Sequence, residues 1–168
     1  MEGIACVDAR PRHTTMDFAF TDAAGPHYAA LVRRLTLVVG DVQGGEDLAQ
    51  ETYLRAYRAW SRFDGRDVRG WLYTIGLRLA FNERDRRHRW AGLLGPRPTK
   101  EPWTDAYDPQ LTHAMEALTR HQRAALMLNA VDGYTQAEIA SMLGVPPGTV
   151  ASWLSRAKAT LRSELTDD

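Results

Sequence analysis

Apolar positions along this chain recur at three- and four-residue spacing rather than at alternate residues, a pattern that predicts helices and no sheet. The first stripe is Tyr28, Leu31, Val32, Leu35 and Val38. It follows Pro26 and ends at Gly40, a proline at the entry and a glycine at the exit. A second stripe runs through Leu48, Ala49, Thr52, Tyr53, Ala56, Ala59 and Trp60. Its helix is expected to begin near Glu46 after a short connection from Asp41 to Gly45, with Glu46 and Asp47 at the positive end of the helix dipole. A third stripe, Val68, Trp71, Leu72, Ile75 and Leu79, opens after the turn signal Asp64-Gly65. Beyond it, Leu111, Met115 and Leu118 mark a short helix behind Asp108-Pro109. Ala125, Leu126 and Leu128 mark another that stops at Gly133. Thr119 with Gln122, and Thr135 with Glu138, have capping-box spacing.

Periodicity is missing from Met1 to about Thr15, and again in the proline-rich stretch after Trp90. The expected organisation is therefore a flexible extension over 1–20, a helical domain over 21–90, a linker over 91–107 and a second helical domain over 108–168. The fold class is all-α: two small helical domains joined by a flexible linker. The second ends in a helix-turn-helix, with QAEIASMLG and TVASWLSRAKATLRSEL either side of the VPPGT turn. Ala140 is small where the two helices must cross, Gly144 permits a left-handed turn, and Val150 anchors the second helix.

Charge sharpens this picture. The 168 residues carry 21 basic and 21 acidic side chains, so the chain lacks the overall basic balance of a protein that grips nucleic acid unaided. The distribution is uneven: Ser61 to Trp90 holds eight arginines against four acidic residues, whereas Leu111 to Asp168 holds five basic against six acidic. Attraction for phosphate is thus concentrated in one segment, and the helix-turn-helix should bind DNA weakly without a second, tethered surface. Cys6 is the single cysteine, which excludes an intrachain disulfide, and with His13 and His27 it matches no metal-site spacing. No apolar run approaches the ~20 residues of a membrane span, and no signal-peptide core precedes the helices. No nucleophile–base pairing or glycine-rich phosphate loop points to catalysis, a metal or a cofactor.

One residue breaks the burial pattern. Asp47, Gln50, Glu51, Arg55 and Arg58 form the polar arc of the second helix, and Leu54 sits in its middle. An apolar contact ringed by carboxylates and an amide suits docking of a protein partner.

GEDLAQETYLRAYRAWSRFDG followed by VRGWLYTIG resembles the second conserved region of extracytoplasmic-function sigma factors. AMEALTRHQRAALMLNAVDGYTQAEIASMLGVPPGTVASWLSRAKATLRSEL resembles their fourth region. The two occur in the right order across a variable linker, from about Tyr28 to Leu165. The resemblance implies a cytoplasmic, non-enzymatic subunit that binds core RNA polymerase through its β′ clamp helices and β flap. It also implies recognition of promoter DNA, promotion of its melting, and in many members restraint by an anti-sigma factor. Carried onto this chain, it assigns Asp47, Gln50, Glu51, Leu54 and Arg58 to the polymerase clamp. It assigns Arg66, Arg69, Trp71, Arg78, Arg86 and Arg87 to the minus-ten element. Thr135, Thr149, Ala151, Ser152, Ser155, Arg156 and Lys158 fall to the minus-thirty-five element. Departures from the family pattern are Gly44-Gly45 before Glu46, which should loosen that helix start, and Leu77, Arg78 and Asn82. The 63–71 loop is also short by about one residue, and Ala151 and Trp153 stand where basic residues are common. The alternative is a stand-alone helix-turn-helix regulator whose first domain senses or dimerises.

Overall fold

The computed structural model describes the backbone of residues 12–90 and 109–166, and side chains from 16–82, 111 and 113–165. The linker over 91–107 and the Asp108 cap lie outside the described residues, and so do the side chains of Arg86 and Arg87. Eight α-helices and two short 3-10 turns make up what is described, with no strand among those residues. They are α1 (Arg12–Ala24), α2 (Tyr28–Val39), α3 (Val42–Ala59), α4 (Val68–Trp90), α5 (Pro109–Glu116), α6 (Arg120–Ala130), α7 (Gln136–Leu143) and α8 (Pro147–Thr166).

α2 is the centre of the molecule. Its expected stripe is buried at Leu31, Leu35 and Val38, but Thr36, Leu37 and Val39 are buried as well, so the helix is covered on more than one side. Leu31, Leu35 and Val38 join Leu77 and Ala80 of α4 and Ala124, Ala125 and Leu128 of α6 in one apolar cluster. Leu37 packs into a second cluster with Met115, Leu118, Leu126 and Ala157 from the other domain. Burying each leucine contributes about 1.5–3 kcal/mol, so both domains draw stability from the same helix. Gly40 ends α2 at φ 76°, and its N–H donates to the Thr36 carbonyl at 2.7 Å.

α3 starts four residues earlier than its sequence suggests. The Asp41 side chain caps it, accepting from the Gly44 N–H at 3.1 Å. Glu46 and Asp47 therefore sit beyond the first turn, and the dipole argument for them falls away. Gly44-Gly45 does not loosen the start. Gly45 is where α3 crosses α2: a Cβ there would lie 2.6 Å from both the amide nitrogen and the Cα of Thr36.

The expected flexible extension is also corrected, because its residues 12–20 belong to α1. Phe20 explains this: buried, it meets Tyr53, Tyr57 and Trp60 edge-on at ring-centroid distances of 5.6, 5.5 and 5.4 Å. The Tyr53 hydroxyl donates to the Ala24 carbonyl and the Tyr57 hydroxyl to Asp17, tying α1 to α3. Burial pushes the Tyr53 phenol up to about 12.

In the second domain both capping boxes are closed in both directions, Thr119 with Gln122 and Thr135 with Glu138. Gly144 caps α7 at φ 68°, and Ile139, Ala140, Val150 and Leu154 are buried beneath the helix-turn-helix. Leu111 remains exposed, so α5 buries Ala114 and Met115 instead.

Gly45→Ala tests the crossing. Helix propensity alone would stabilise by about 1 kcal/mol, but overpacking against backbone costs about 1–3 kcal/mol or more. The expected outcome is a lower thermal midpoint by calorimetry, with Gly25→Ala, where no atom lies within 4 Å of the added Cβ, close to wild type.

Candidate nucleic-acid interface

The outward face of α3 is as its pattern implies. Leu48, Ala49, Thr52 and Ala56 point into the core, while Asp47, Gln50, Leu54 and Arg58 are exposed and Glu51 half-exposed. Leu54 is 52% exposed and lies on the side of α3 away from α2 and α4. Its polar neighbours are weakly tied: Asp47 accepts from Gln43 at 3.1 Å, and Glu51 from Arg55 at 2.6 Å. Exposed pairs of this kind contribute about 0–1 kcal/mol and leave the side chains free to rearrange.

α4 is built differently from the one-faced helix that its stripe predicts. Leu72 is fully buried with Phe20 and Ala56, flanked by the half-buried Val68, Trp71 and Ile75. On another side Tyr73, Leu77 and Ala80 are buried too, against α2 and the second domain. Asp67 starts the helix, its Oδ1 accepting from the Gly70 N–H at 2.9 Å. Of the arginines assigned here, Arg66 is exposed in the loop before α4, 3.6 Å from Asp64. Arg69 is drawn toward the second domain: its Nε donates to the Tyr134 hydroxyl and its Nη2 to the Asp132 carbonyl, each at 3.2 Å. The guanidinium also lies 5.2 Å from the centre of the Tyr134 ring. Arg78 is exposed, and its Nε donates to the Met142 carbonyl at 3.3 Å. Trp71 stacks on Phe63 at 4.6 Å with Trp60 beside it at 6.0 Å, half in the core and half at the surface.

These contacts are one part of a seam between the domains. Arg34 of α2 grips Asp132 with Nε to Oδ2 at 2.8 Å and Nη2 to Oδ1 at 3.2 Å. The two side chains are 14% and 5% exposed. The Tyr73 hydroxyl reaches the same carboxylate at 3.4 Å, and burial pushes its phenol up to about 12. The Tyr134 hydroxyl donates to Asp67 Oδ2 at 3.1 Å. At the far end His121 stacks on Phe81 of α4 at 4.3 Å and meets Trp153 of α8 at 4.8 Å. The domains expected to hang on a linker thus pack directly on each other. Neither Arg34, Asp132 nor Tyr134 was singled out by sequence reasoning, because nothing in one-dimensional spacing pairs residues 98 positions apart.

On the helix-turn-helix, Ser152, Ser155, Arg156 and Lys158 are exposed on α8, and Thr149 and Ala151 half-buried in its first turns. Thr135 caps α7: its hydroxyl is 2.7 Å from Glu138 Oε2, and that bond holds the Glu138 carboxyl below its usual range. Trp153, which departs from the family pattern, packs into the seam instead of facing outward.

The family model described as Sigma-70 region 2 matches residues 22–90, and that described as Sigma-70, region 4 matches residues 109–161. The ECF RNA polymerase sigma factor SigC of Mycobacterium tuberculosis (strain CDC 1551 / Oshkosh) is 32% identical over 145 residues, covering 82% of this chain and 78% of that protein. The chain belongs to the sigma-70 family, in its extracytoplasmic-function branch. The ECF sigma factor SigL of M. tuberculosis (strain ATCC 25618 / H37Rv) is 31% identical over 152 residues, 84% of this chain and 85% of its own. The fold is shared with sigma factor RpoE, solved in complex with the anti-sigma factor NepR from Bartonella quintana. There the TM-score is 0.75 at 23% identity, covering 90% of this chain and 99% of that one. As a sigma factor, the protein directs RNA polymerase to promoters, and the stand-alone regulator is not favoured. Region 2 comprises α2 to α4 and the end of α1; region 4 comprises α5 to α8 up to residue 161. No helix among the described residues is long and apolar enough to cross a membrane.

Since Leu54 is 52% exposed on the outer side of α3, Leu54→Asp is expected to leave the stability within about 0.5 kcal/mol of wild type. The same variant should lose co-purification with core polymerase; wild-type recovery in a pull-down would dismiss this face as the dock.

Proposed function

We propose that this sigma factor holds core polymerase through Asp47, Gln50, Glu51, Leu54 and Arg58 of α3, and promoter DNA through two separate surfaces. The observation that carries the reading is the bare leucine in a polar stripe, rigidly displayed on a helix whose opposite face is core. The backbone of α3 is already held by the core, so docking has only the exposed polar side chains around Leu54 to order. The minus-ten strand belongs with the basic loop and helix that follow: Arg66, Arg69, Arg78, Arg86 and Arg87 offer phosphate contacts. The half-exposed Trp71–Phe63 stack offers an aromatic edge for an unstacked base. Extruding that base costs a few kcal/mol, and stacking returns about 1–3 kcal/mol, so phosphate contacts and the polymerase must supply the remainder.

The minus-thirty-five element is read by α8 entering the major groove, with Ser152, Ser155 and Arg156 toward base edges and Lys158 and the α7 cap Thr135 toward phosphates. Thr149 and Ala151, being half-buried, shape the approach of the helix. The protein acts without catalysis of its own, in the cytoplasm where polymerase works. An anti-sigma factor as restraining partner is supported by the similar fold of RpoE, solved with NepR.

In vitro transcription with purified core polymerase on pooled genomic fragments should yield discrete start sites preceded by two shared elements. Failure to initiate, together with no affinity for core, would overturn the reading. Arg156→Ala should weaken transcription several-fold, losing about 1–3 kcal/mol per base contact, on promoters that need the upstream element and spare those that do not.

A further inference from the structure

We infer that Phe20 of α1 is a positioning residue for the minus-ten surface: acting through Trp60 and Phe63, it sets the place of the loop that carries Arg66. The inference rests on the proposed reading of that loop and of the Trp71–Phe63 stack as the strand-binding surface. Phe20 lies ahead of the segment matched by the region 2 model, 22–90. It is 6% exposed, and its ring meets Trp60 edge-on at 5.4 Å and 79°. Trp60 stacks on Phe63 at 5.2 Å and 20°, and Phe63 stacks on Trp71 at 4.6 Å and 28°. With Trp60 and Trp71 6.0 Å apart, the three half-buried rings close into a triangle, and Phe20 lies beneath its Trp60 corner. That inner corner is fixed. Phe20 also meets Tyr53 and Tyr57 edge-on, and the hydroxyls of those tyrosines hold α1 on α3 through the Ala24 carbonyl and Asp17.

The loop depends on this support because its middle is tied to nothing deeper. Asp64, Gly65 and Arg66 are exposed, and no atom lies within 4 Å of a Cβ added at Gly65. Gly65 turns the chain at φ 79°, and the Arg66 N–H donates to Asp64 Oδ1 at 3.2 Å. Those features shape the turn without fastening it to the domain. The fastenings are at its two ends. Asp67 holds the downstream end as the cap of α4. At the upstream end the Phe63 N–H donates to the Trp60 carbonyl at 3.1 Å, and the Phe63 ring packs on both indoles. Aromatic rings favour edge-on and offset arrangements, so the face of Phe20 sets the tilt of Trp60, and that tilt sets where Phe63 lies. A leucine at position 20 keeps an apolar core residue and removes the face. Trp60 is then free to turn, the loop spends part of its time elsewhere, and apparent strand affinity falls to the fraction that stays competent. Leu54 stands outside this ring cluster. Holding polymerase and opening DNA therefore separate, and Phe20 governs only the second.

The test is the opening of a promoter duplex by core polymerase carrying the full chain. The duplex is taken from the mapped start sites and holds 2-aminopurine in its minus-ten element, and the holoenzyme is kept below saturation. Affinity for core is measured alongside by anisotropy of the fluorescently labelled chain. Phe20→Leu should hold core as wild type does and lower the open complex about tenfold, the loss when one-tenth of the loops are competent. Phe63→Leu should do the same. Because both act along one contact path, the double variant should lose little more than either alone, whereas independent contributions would multiply. That coupling separates positioning from a general loss of stability. If Phe20→Leu fails to fold by circular dichroism, Trp60→Leu takes its place in the cycle. Unchanged opening in the folded variant, multiplied losses, or a parallel fall in core affinity overturns the inference and leaves the sigma-factor assignment intact. A Phe63→Leu chain that opens the duplex like wild type removes the ring stack as the strand surface, and the role of Phe20 goes with it.

Discussion

Covering α2 is the constraint from which the architecture follows. A helix with buried side chains at Leu31, Leu35, Thr36, Leu37, Val38 and Val39 cannot be sheltered by one neighbour. α3 lies across it at Gly45, α4 meets it through Leu77 and Ala80, and α6 closes the remaining side with Ala124, Ala125 and Leu128. The alanines matter because they let α6 approach until leucines on α2 fill the gap. Two domains that could each be drawn as a separate bundle are thereby joined through one shared helix, and their polar seam is arranged around that apolar centre.

Much of this is written in the sequence where local chemistry decides it. The two capping boxes, the left-handed glycines at 40 and 144 and the inward stripe of α3 are set by neighbours three or four residues away. Leu54 stood out for the same reason: a helix pattern is a local object, and an exception to it is visible without knowing the fold. What the sequence hides is long-range. The α4 stripe predicts one buried side, yet Tyr73, Leu77 and Ala80 are covered by elements from elsewhere in the chain. The hint in the sequence is that α4 carries apolar residues nearly all round from Trp71 to Phe81, with Arg78 the single charge among them. Gly44-Gly45 misleads in the same way. As local chemistry two glycines weaken a helix; in the fold Gly45 is the one residue type that fits a backbone crossing.

The electrostatics follow a similar division. A formally neutral chain has to obtain affinity for DNA by concentrating its positive charge. That concentration creates a surface that the protein's own carboxylates and phenols can also satisfy. The Asp132 carboxylate does so for Arg34, and the Tyr134 hydroxyl with the Asp132 carbonyl for Arg69, over distances close to 3 Å.

Asp67 shows what this implies for movement. One carboxylate oxygen holds the first turn of α4 through the Gly70 amide, and the other accepts from Tyr134 of the opposite domain. Because the two roles fall on different atoms, parting the domains gives up the second without unravelling the first. The first turn of α4 is therefore complete within its own domain, and its cap owes nothing to the neighbour that shares the carboxylate.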